Sequence, residues 1–400
     1  MPEMPPLALD AIRADTPALA RQTFLASAGA SLPPGSVVEA TIAHLRLEAE
    51  MGGYGAAQQV LEHSEAVYAS VAQLIGARPE EIALTESATR AWQLGFYALP
   101  WQAGDRILTG RAEYGANFVA FLQIARRYGV TIDIIPDDAS GATDPQALHA
   151  MLDERVRLIA LTWMPSNGGL INPAGAVGAI ARAAGIPYLL DACQAVGQVP
   201  VDVALLGCDM LCATGRKFLR GPRGTGFLYV RRGFMEGLEP PMIDHAGAPW
   251  TAPGSYALRP DARRFEAFES SIAGRLGLGA AADYALGIGL EAIAARNAML
   301  SARLRTGLAA LPGAQVLDRG RDHSAIVSFS LAGQQAAAVM ERAAGKGIVI
   351  GTVAPGSTLL DAQARDLGTI LRASPHYFNT EGEIDCLLDL CEGAGQTCPL

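Results

Sequence analysis

An acid and a lysine close two short apolar runs near the middle of the chain. Tyr188-Leu189-Leu190 ends in Asp191, with Gln194 three residues on, and Met210-Leu211-Cys212-Ala213 leads into Thr214-Gly215-Arg216-Lys217. The two chemical residues are 26 positions apart (217 − 191). A carboxylate can keep a pyridine nitrogen protonated so that the ring withdraws electrons, and a lysine amine can hold an aldehyde as a Schiff base. Thr214 and Arg216, a hydroxyl and a cation beside the lysine, suit a phosphate. Pyridoxal phosphate combines those three needs.

A further anion site is written upstream. Thr85-Glu86-Ser87-Ala88-Thr89 joins a strand pattern to a helix pattern, and backbone N–H groups at a helix N-terminus, helped by hydroxyls, attract anions. Ser87 also reads as an ordinary helix cap. Asp191 can likewise cap a helix, and Lys217 belongs to a cationic cluster with Arg216, Arg220 and Arg223.

Taken in order, these motifs resemble the class V aminotransferase group of fold-type I pyridoxal phosphate enzymes, from about Phe24 to Asp385. That group includes cysteine desulfurases, isopenicillin N epimerase-like enzymes and C–S lyases of ergothioneine-type pathways. The resemblance implies that Ser87, Ala88 and Thr89 cradle the phosphate with Thr214 and Arg216, a position where many relatives carry histidine. It implies that Tyr114 stacks on the ring where the desulfurases have histidine. Asn167 and Gln194 approach the ring's phenolic oxygen or imine edge, Asp191 binds the ring nitrogen, and Lys217 is the Schiff-base lysine and proton shuttle. Arg372 binds the substrate carboxylate, while Ala28 and Gly29 line the substrate pocket. His376 and Tyr377 read as packing residues. A homodimer with shared active sites is implied too: the segment after Arg263 crosses to the partner in relatives, with Glu269 at the usual threonine position and Ser270 as its substitute.

The elements that must position these residues follow an α/β alternation. Helical patterns at 38–50, 57–75, 88–97, 115–128, 145–152 and 174–184 separate apolar runs at 82–85, 106–109, 131–135, 158–162, 188–191, 210–213 and 226–230. Such alternation predicts a mainly parallel seven-stranded sheet with helices on both faces and ligands at the carboxyl ends of its strands. Residues 236–264 read as an irregular connection, and 277–305 as one Ala- and Leu-rich helix. A smaller α+β unit follows, with strands at 325–330, 348–350 and 370–374 and helices at 336–344 and 381–391. The implied organisation is an arm packing near the site (1–30), a large cofactor-binding domain (31–264), and an interdomain helix with a small C-terminal domain (265–400).

Composition narrows the class. The 400 residues suffice for two or three units, and no apolar run reaches the roughly 18 residues of a membrane span. The N-terminus, Met1-Pro2-Glu3-Met4-Pro5-Pro6, lacks a basic region followed by an apolar one, so no secretory signal is expected. A net charge of −9 disfavours a nucleic-acid partner. Six cysteines without CxxC or zinc-type spacing read as reduced thiols of a cytoplasmic protein, with Cys398 a candidate reactive thiol and no metal site.

The corresponding desulfurase loop, 347–368, contains no cysteine to collect sulfur. The segment His44–Tyr54, Tyr114 and the run Arg216–Gly224 lean toward the lyase and epimerase-like branch. The expected reaction is Cβ–S cleavage of a cysteine-derived amino acid. Epimerisation, transamination, or a regulatory binding role without turnover are the alternatives.

Overall fold

The computed structural model describes residues 7–393. Cys398, the N-terminal signal reading and the first six residues of the arm lie outside them.

Seven strands form the main sheet: β1 (Ile82–Thr85), β2 (Arg106–Thr109), β3 (Thr131–Ile134), β4 (Val156–Thr162), β5 (Tyr188–Asp191), β6 (Met210–Thr214) and β7 (Gly226–Val230). Their spatial order is β1-β7-β6-β5-β4-β2-β3. All neighbours run parallel except β7, which is antiparallel to both β1 and β6. Both faces are covered, so the strands alternate between two apolar layers rather than between apolar and polar. In β6, Leu211 and Ala213 pack in one core and Met210 and Cys212 in the other. Burial on both sides explains why these strands read as continuous apolar runs.

The edge at β1 is capped by an acid. The Leu84 N–H donates to Glu266 Oε1 at 2.7 Å, and the same carboxylate accepts from the Tyr68 hydroxyl at 2.8 Å and pairs with Arg275 at 3.3 Å. An exposed edge would template another strand; here the Glu266 side chain occupies one of its donors.

A second sheet is antiparallel: β8 (Ala314–Val316), β9 (Val327–Leu331), β10 (Gly351–Val353) and β11 (Ile370–Ala373), in the order β8-β9-β11-β10. It has its own core, including Leu300, Leu304, Val327, Phe329, Leu371 and Leu387. The arm joins this unit through a two-residue parallel pairing of Thr23–Phe24 with Ile348–Val349.

Four sequence expectations change here. The helix expected over 57–75 is two, Gly53–Gln59 and Leu61–Ile75, broken at Val60. The run at 277–305 also breaks, into Ile272–Ile288 and Leu290–Ala310, because Gly289 takes a left-handed φ of 94° and turns the axis by 80°. No single helix among the described residues is long and apolar enough to cross a membrane. Of the run 348–350, Ile348 and Val349 pair with the arm and Ile350 links them to β10, and residues 236–264 include a short exposed hairpin, Trp250–Ala252 with Ser255–Tyr256.

Candidate active site

One cavity opens at the carboxyl ends of β4, β5 and β6. Its walls include Ser87, Ala88, Thr89, Tyr114, Asp191, Cys193, Gln194, Thr214, Arg216 and Lys217. Topology causes this convergence: parallel strands end at one edge, and the turns that leave them carry the polar residues.

Helix α1 (Ala88–Tyr97) begins at the cavity with Ser87 as its N-cap, the hydroxyl accepting from the Arg90 N–H at 3.1 Å. The amides of Ala88 and Thr89 begin the helix, where the ladder supplies no acceptor, so they are free to hold an anion. Strand β7 passes so close that a Cβ on Gly226 would lie 2.9 Å from the Ala88 nitrogen and 2.7 Å from the Ala213 carbonyl. Only glycine permits that approach. Thr214 lies beneath, its hydroxyl donating to the Thr225 carbonyl at 3.1 Å.

Asp191 is 5% exposed. Its Oδ1 accepts from the Cys193 N–H at 2.9 Å and its Oδ2 from Asn117 Nδ2 at 2.9 Å. The same Asn117 amide donates to Glu113 Oε1 at 2.8 Å. Glu113 is fully inside and also accepts from the Thr109 and Thr162 hydroxyls and from the Tyr114 and Thr162 N–H groups. Burial pushes the Glu113 carboxyl up, and the bonds from Thr162 and Asn117 oppose it. Five donors converge on this carboxylate, an arrangement suited to its ionised form. The sequence reading passed over Glu113 and Asn117, although their i,i+4 spacing at the start of helix α2 (Gly115–Tyr128) was a usable signal.

Lys217 is 9% exposed. Burial lowers its pKa, the nearby cations Arg216 and Arg372 add to that, and Cys193 and Asp191 act the other way. Among the described residues its amine makes neither hydrogen bond nor ion pair, and its nearest aromatic partner is the Tyr114 ring, 6.0 Å from Nζ to centroid. A buried amine without an acid is a nucleophile held ready. The turn behind it is fixed by Arg220, whose φ is 63°. That guanidinium is buried and donates to Leu32 O, the Tyr377 hydroxyl and Thr16 Oγ1 at 2.8, 2.8 and 2.6 Å. It is therefore unavailable to any external polyanion. His376 holds the next residue, its Nε2 donating to Phe218 O at 2.8 Å.

Tyr114 is partly buried, and burial raises its hydroxyl pKa, with Cys193 and Asp191 adding to the shift. Gln194 donates from Nε2 to Ala28 O at 3.1 Å, while its Oε1 is buried without a protein partner. Arg372 donates from Nη1 to Ser166 O at 2.8 Å and also has a buried, unpartnered Nε. Burial and the neighbouring Arg216 push its pKa down to about 10, which leaves it charged at neutral pH. Arg216 donates to the Gly29 carbonyl.

Asn167 departs from expectation. Its Nδ2 donates to Asp361 Oδ2 at 2.7 Å, a carboxylate that also holds Arg365 at 3.0 Å. Asn167 is not among the residues that line the cavity, although its neighbour Ser166 is. Ser270 also has a partner within the chain, accepting from Arg275 at 3.1 Å. It lines a second cavity that adjoins the first at Glu86 and Gly224.

The residues present fit pyridoxal phosphate. A helix N-terminus and a threonine suit its phosphate, a pre-oriented carboxylate its ring nitrogen, an aromatic its face and a buried lysine its aldehyde. A doubly wound sheet carrying that set at its carboxyl edge defines a fold-type I pyridoxal phosphate protein. A sequence model of the Aminotransferase class-V family matches residues 23–387. The chain belongs to that family. It is 31% identical over 400 residues to a cysteine desulfurase of Cronobacter sakazakii, covering 95% of this chain and 96% of that one. The apo structure of a cysteine desulfurase from Thermococcus onnurineus NA1 superposes with a TM-score of 0.89 at 26% identity, covering 98% and 99% of the two chains. The cystine C–S lyase C-DES, in complex with its product cysteine persulfide, matches with a TM-score of 0.85 at 25% identity over 95% and 100%.

Proposed function

We propose that this protein is a pyridoxal phosphate-dependent C–S β-lyase acting on a cysteine-derived amino acid. The observation that carries this reading is Lys217, a buried amine with no acid partner among the described residues that shares one cavity with Asp191 and the N-terminus of α1. The bound cofactor withdraws electrons from Cα, making its proton acidic and a sulfur substituent on Cβ a leaving group.

The chain's own residues do the rest. Ala88 and Thr89 N–H groups, with Thr214, hold the phosphate, and the Tyr114 ring covers the pyridine face. Asp191 keeps the ring nitrogen protonated, held in place by Asn117 and the Cys193 N–H. Gln194 Oε1 and the Arg372 Nε await polar partners, and Arg372 with Ala28 and Gly29 supplies the carboxylate pocket. Lys217 Nζ takes the Cα proton. The C–S bond then breaks, sulfur leaves with its substituent as a thiol, and water converts the remaining carbon skeleton to pyruvate and ammonia.

The loop 347–368 favours elimination over transfer of sulfur to the protein. It contains no cysteine, and its helical segments Pro355–Thr358 and Leu359–Ala364 are fastened through Asp361 to Asn167 and Arg365. The related desulfurases support a cysteine-type substrate; this loop supports a different fate for its sulfur.

A homodimer and the division at residues 30 and 264 belong to the same reading. Exposed Met242 at the second cavity, and exposed Trp250 and Phe268, support a subunit contact, and the separate cores of the two sheets support the division. Cys193, Cys208, Cys212 and Cys391 form no disulfide among the described residues, which supports a cytoplasmic setting.

Purified holoenzyme incubated with an S-substituted cysteine tests the reaction. Equal amounts of thiol and pyruvate support it. Racemised substrate or a transaminated keto acid, without thiol, would contradict it.

A further inference from the structure

Two turns at the cavity, one carrying Lys217 and the other Gln194, are held from behind by a single chain of buried polar side chains. His376 follows β11 in the smaller unit, and its Nε2 donates to the Phe218 carbonyl at 2.8 Å, one residue beyond Lys217. Its Nδ1 lies 3.1 Å from Asn297 Oδ1. Asn297 sits on the helix Leu290–Ala310, and its Nδ2 donates to the Gln198 carbonyl at 3.3 Å. The Gln198 side chain then divides. Its Nε2 donates to the Gln194 carbonyl at 2.6 Å, and its Oε1 accepts from the Ala325 N–H, just ahead of β9, at 2.6 Å. His376, Asn297 and Gln198 are each 2% exposed or less.

The two turns also touch. Gly197 has a left-handed φ of 81°, and a Cβ placed on it would lie 2.5 Å from both the nitrogen and the Cα of Leu219. The Phe218 ring stands edge-on to the His376 ring, 5.0 Å between centroids, and packs with Ala28, Ala325 and Ile326. His376, Asn297 and Gln198 do not themselves line the cavity. Buried polar groups are costly unless each finds a partner, and apolar side chains would fill the same space without that demand. What a satisfied network adds is one fixed arrangement of the groups at its ends.

We infer that His376, Asn297 and Gln198 are positioning residues, which act through the Phe218 and Gln194 carbonyls to hold the Lys217 amine and the Gln194 side chain in one fixed relation. The inference rests on Lys217 and Gln194 flanking the cofactor, as proposed above, and is independent of which bond the substrate loses. Proton movement by Lys217 depends on placement to within about 1 Å. The carboxylate pocket of Arg372 lies outside the network, so substrate binding is not its target.

Three variants of the holoenzyme test it, each compared per bound cofactor. His376→Phe keeps a ring and removes the donor to Phe218 O, whereas His376→Gln keeps a donor. His376→Phe should lower kcat for an S-substituted cysteine roughly tenfold or more, with KM little changed. It should also weaken the visible circular dichroism of the bound cofactor, which reads the placement of the ring without turnover. His376→Gln should recover most of both. Asn297→Ala, a smaller change in the middle of the chain, should move both readouts the same way and decides the matter if His376→Phe does not fold. If the wild type releases no thiol, the lyase reading fails, while the dichroism still tests the positioning. Unchanged dichroism and kcat in these variants, with only a lower melting temperature, would reduce the three residues to packing and overturn the inference. A His376→Gln variant as impaired as His376→Phe would overturn it as well.

Discussion

Asn117 Nδ2 lies 2.9 Å from Asp191 Oδ2 and gives this carboxylate its only side-chain donor among the described residues. The other oxygen of Asp191 is held by the Cys193 N–H. The acid is thus oriented by two neutral donors and keeps its charge for a cation. A hydroxyl or amide in place of Asp191 could not stabilise a protonated ring nitrogen to the same degree.

Removing Asn117 should loosen this acid without touching the ligand. A hydrogen bond to a charged group contributes about 1.5 kcal/mol, so Asn117→Ala should raise the Kd for pyridoxal phosphate roughly tenfold. Titration of the apoprotein followed by visible absorbance measures it. An unchanged Kd would mean that Asp191 needs no such support.

Asp361 has a structural counterpart role. It is 4% exposed and accepts from both Asn167 and Arg365. Asp361→Ala leaves a buried amide and a guanidinium without their acceptor, a change that costs about 3 kcal/mol. The midpoint of urea unfolding should fall accordingly, with the slope unchanged. Wild-type stability in the variant would show that the loop's attachment lies elsewhere.

Burial of Lys217 makes the apoprotein's stability depend on pH. Its folded pKa is lowered from 10.5, so over the interval between the folded value and 10.5 the unfolded chain binds more protons. Stability must rise with pH through that interval. The penalty is complete below the folded pKa and gone above 10.5. Lys217→Met removes it, so the cofactor-free variant should melt higher than the cofactor-free wild type at pH 7. The difference should shrink as pH approaches 10.5. A difference independent of pH would contradict the depressed pKa.

Much of the large sheet was legible because its chemistry is local. Each of the seven runs is a strand, and the inner ones, buried on both faces, are apolar throughout and end in polar turns, while Thr131–Ile134 lies at the edge and is only partly buried. Nine of the residues singled out, Ser87, Ala88, Thr89, Tyr114, Asp191, Gln194, Thr214, Arg216 and Lys217, line one cavity for the same reason. What sequence did not reveal depends on distant partners. Asn167 finds Asp361 across 194 positions, and Asn117 finds Asp191 across 74. The bend at Gly289 was hidden because alanine and leucine continue a helical pattern on both sides of it. Ala314–Val316 is too short to show a period.

The central claim is that Lys217 carries the cofactor, and the composition makes it simple to test. The chain has two lysines, Lys217 and Lys346. Borohydride reduction of the holoenzyme, followed by peptide mass spectrometry, should place the pyridoxyl mass on Lys217, with none on Lys346 and none in the Lys217→Ala variant. An adduct on Lys346, or bound cofactor that borohydride links to neither lysine, would contradict the account.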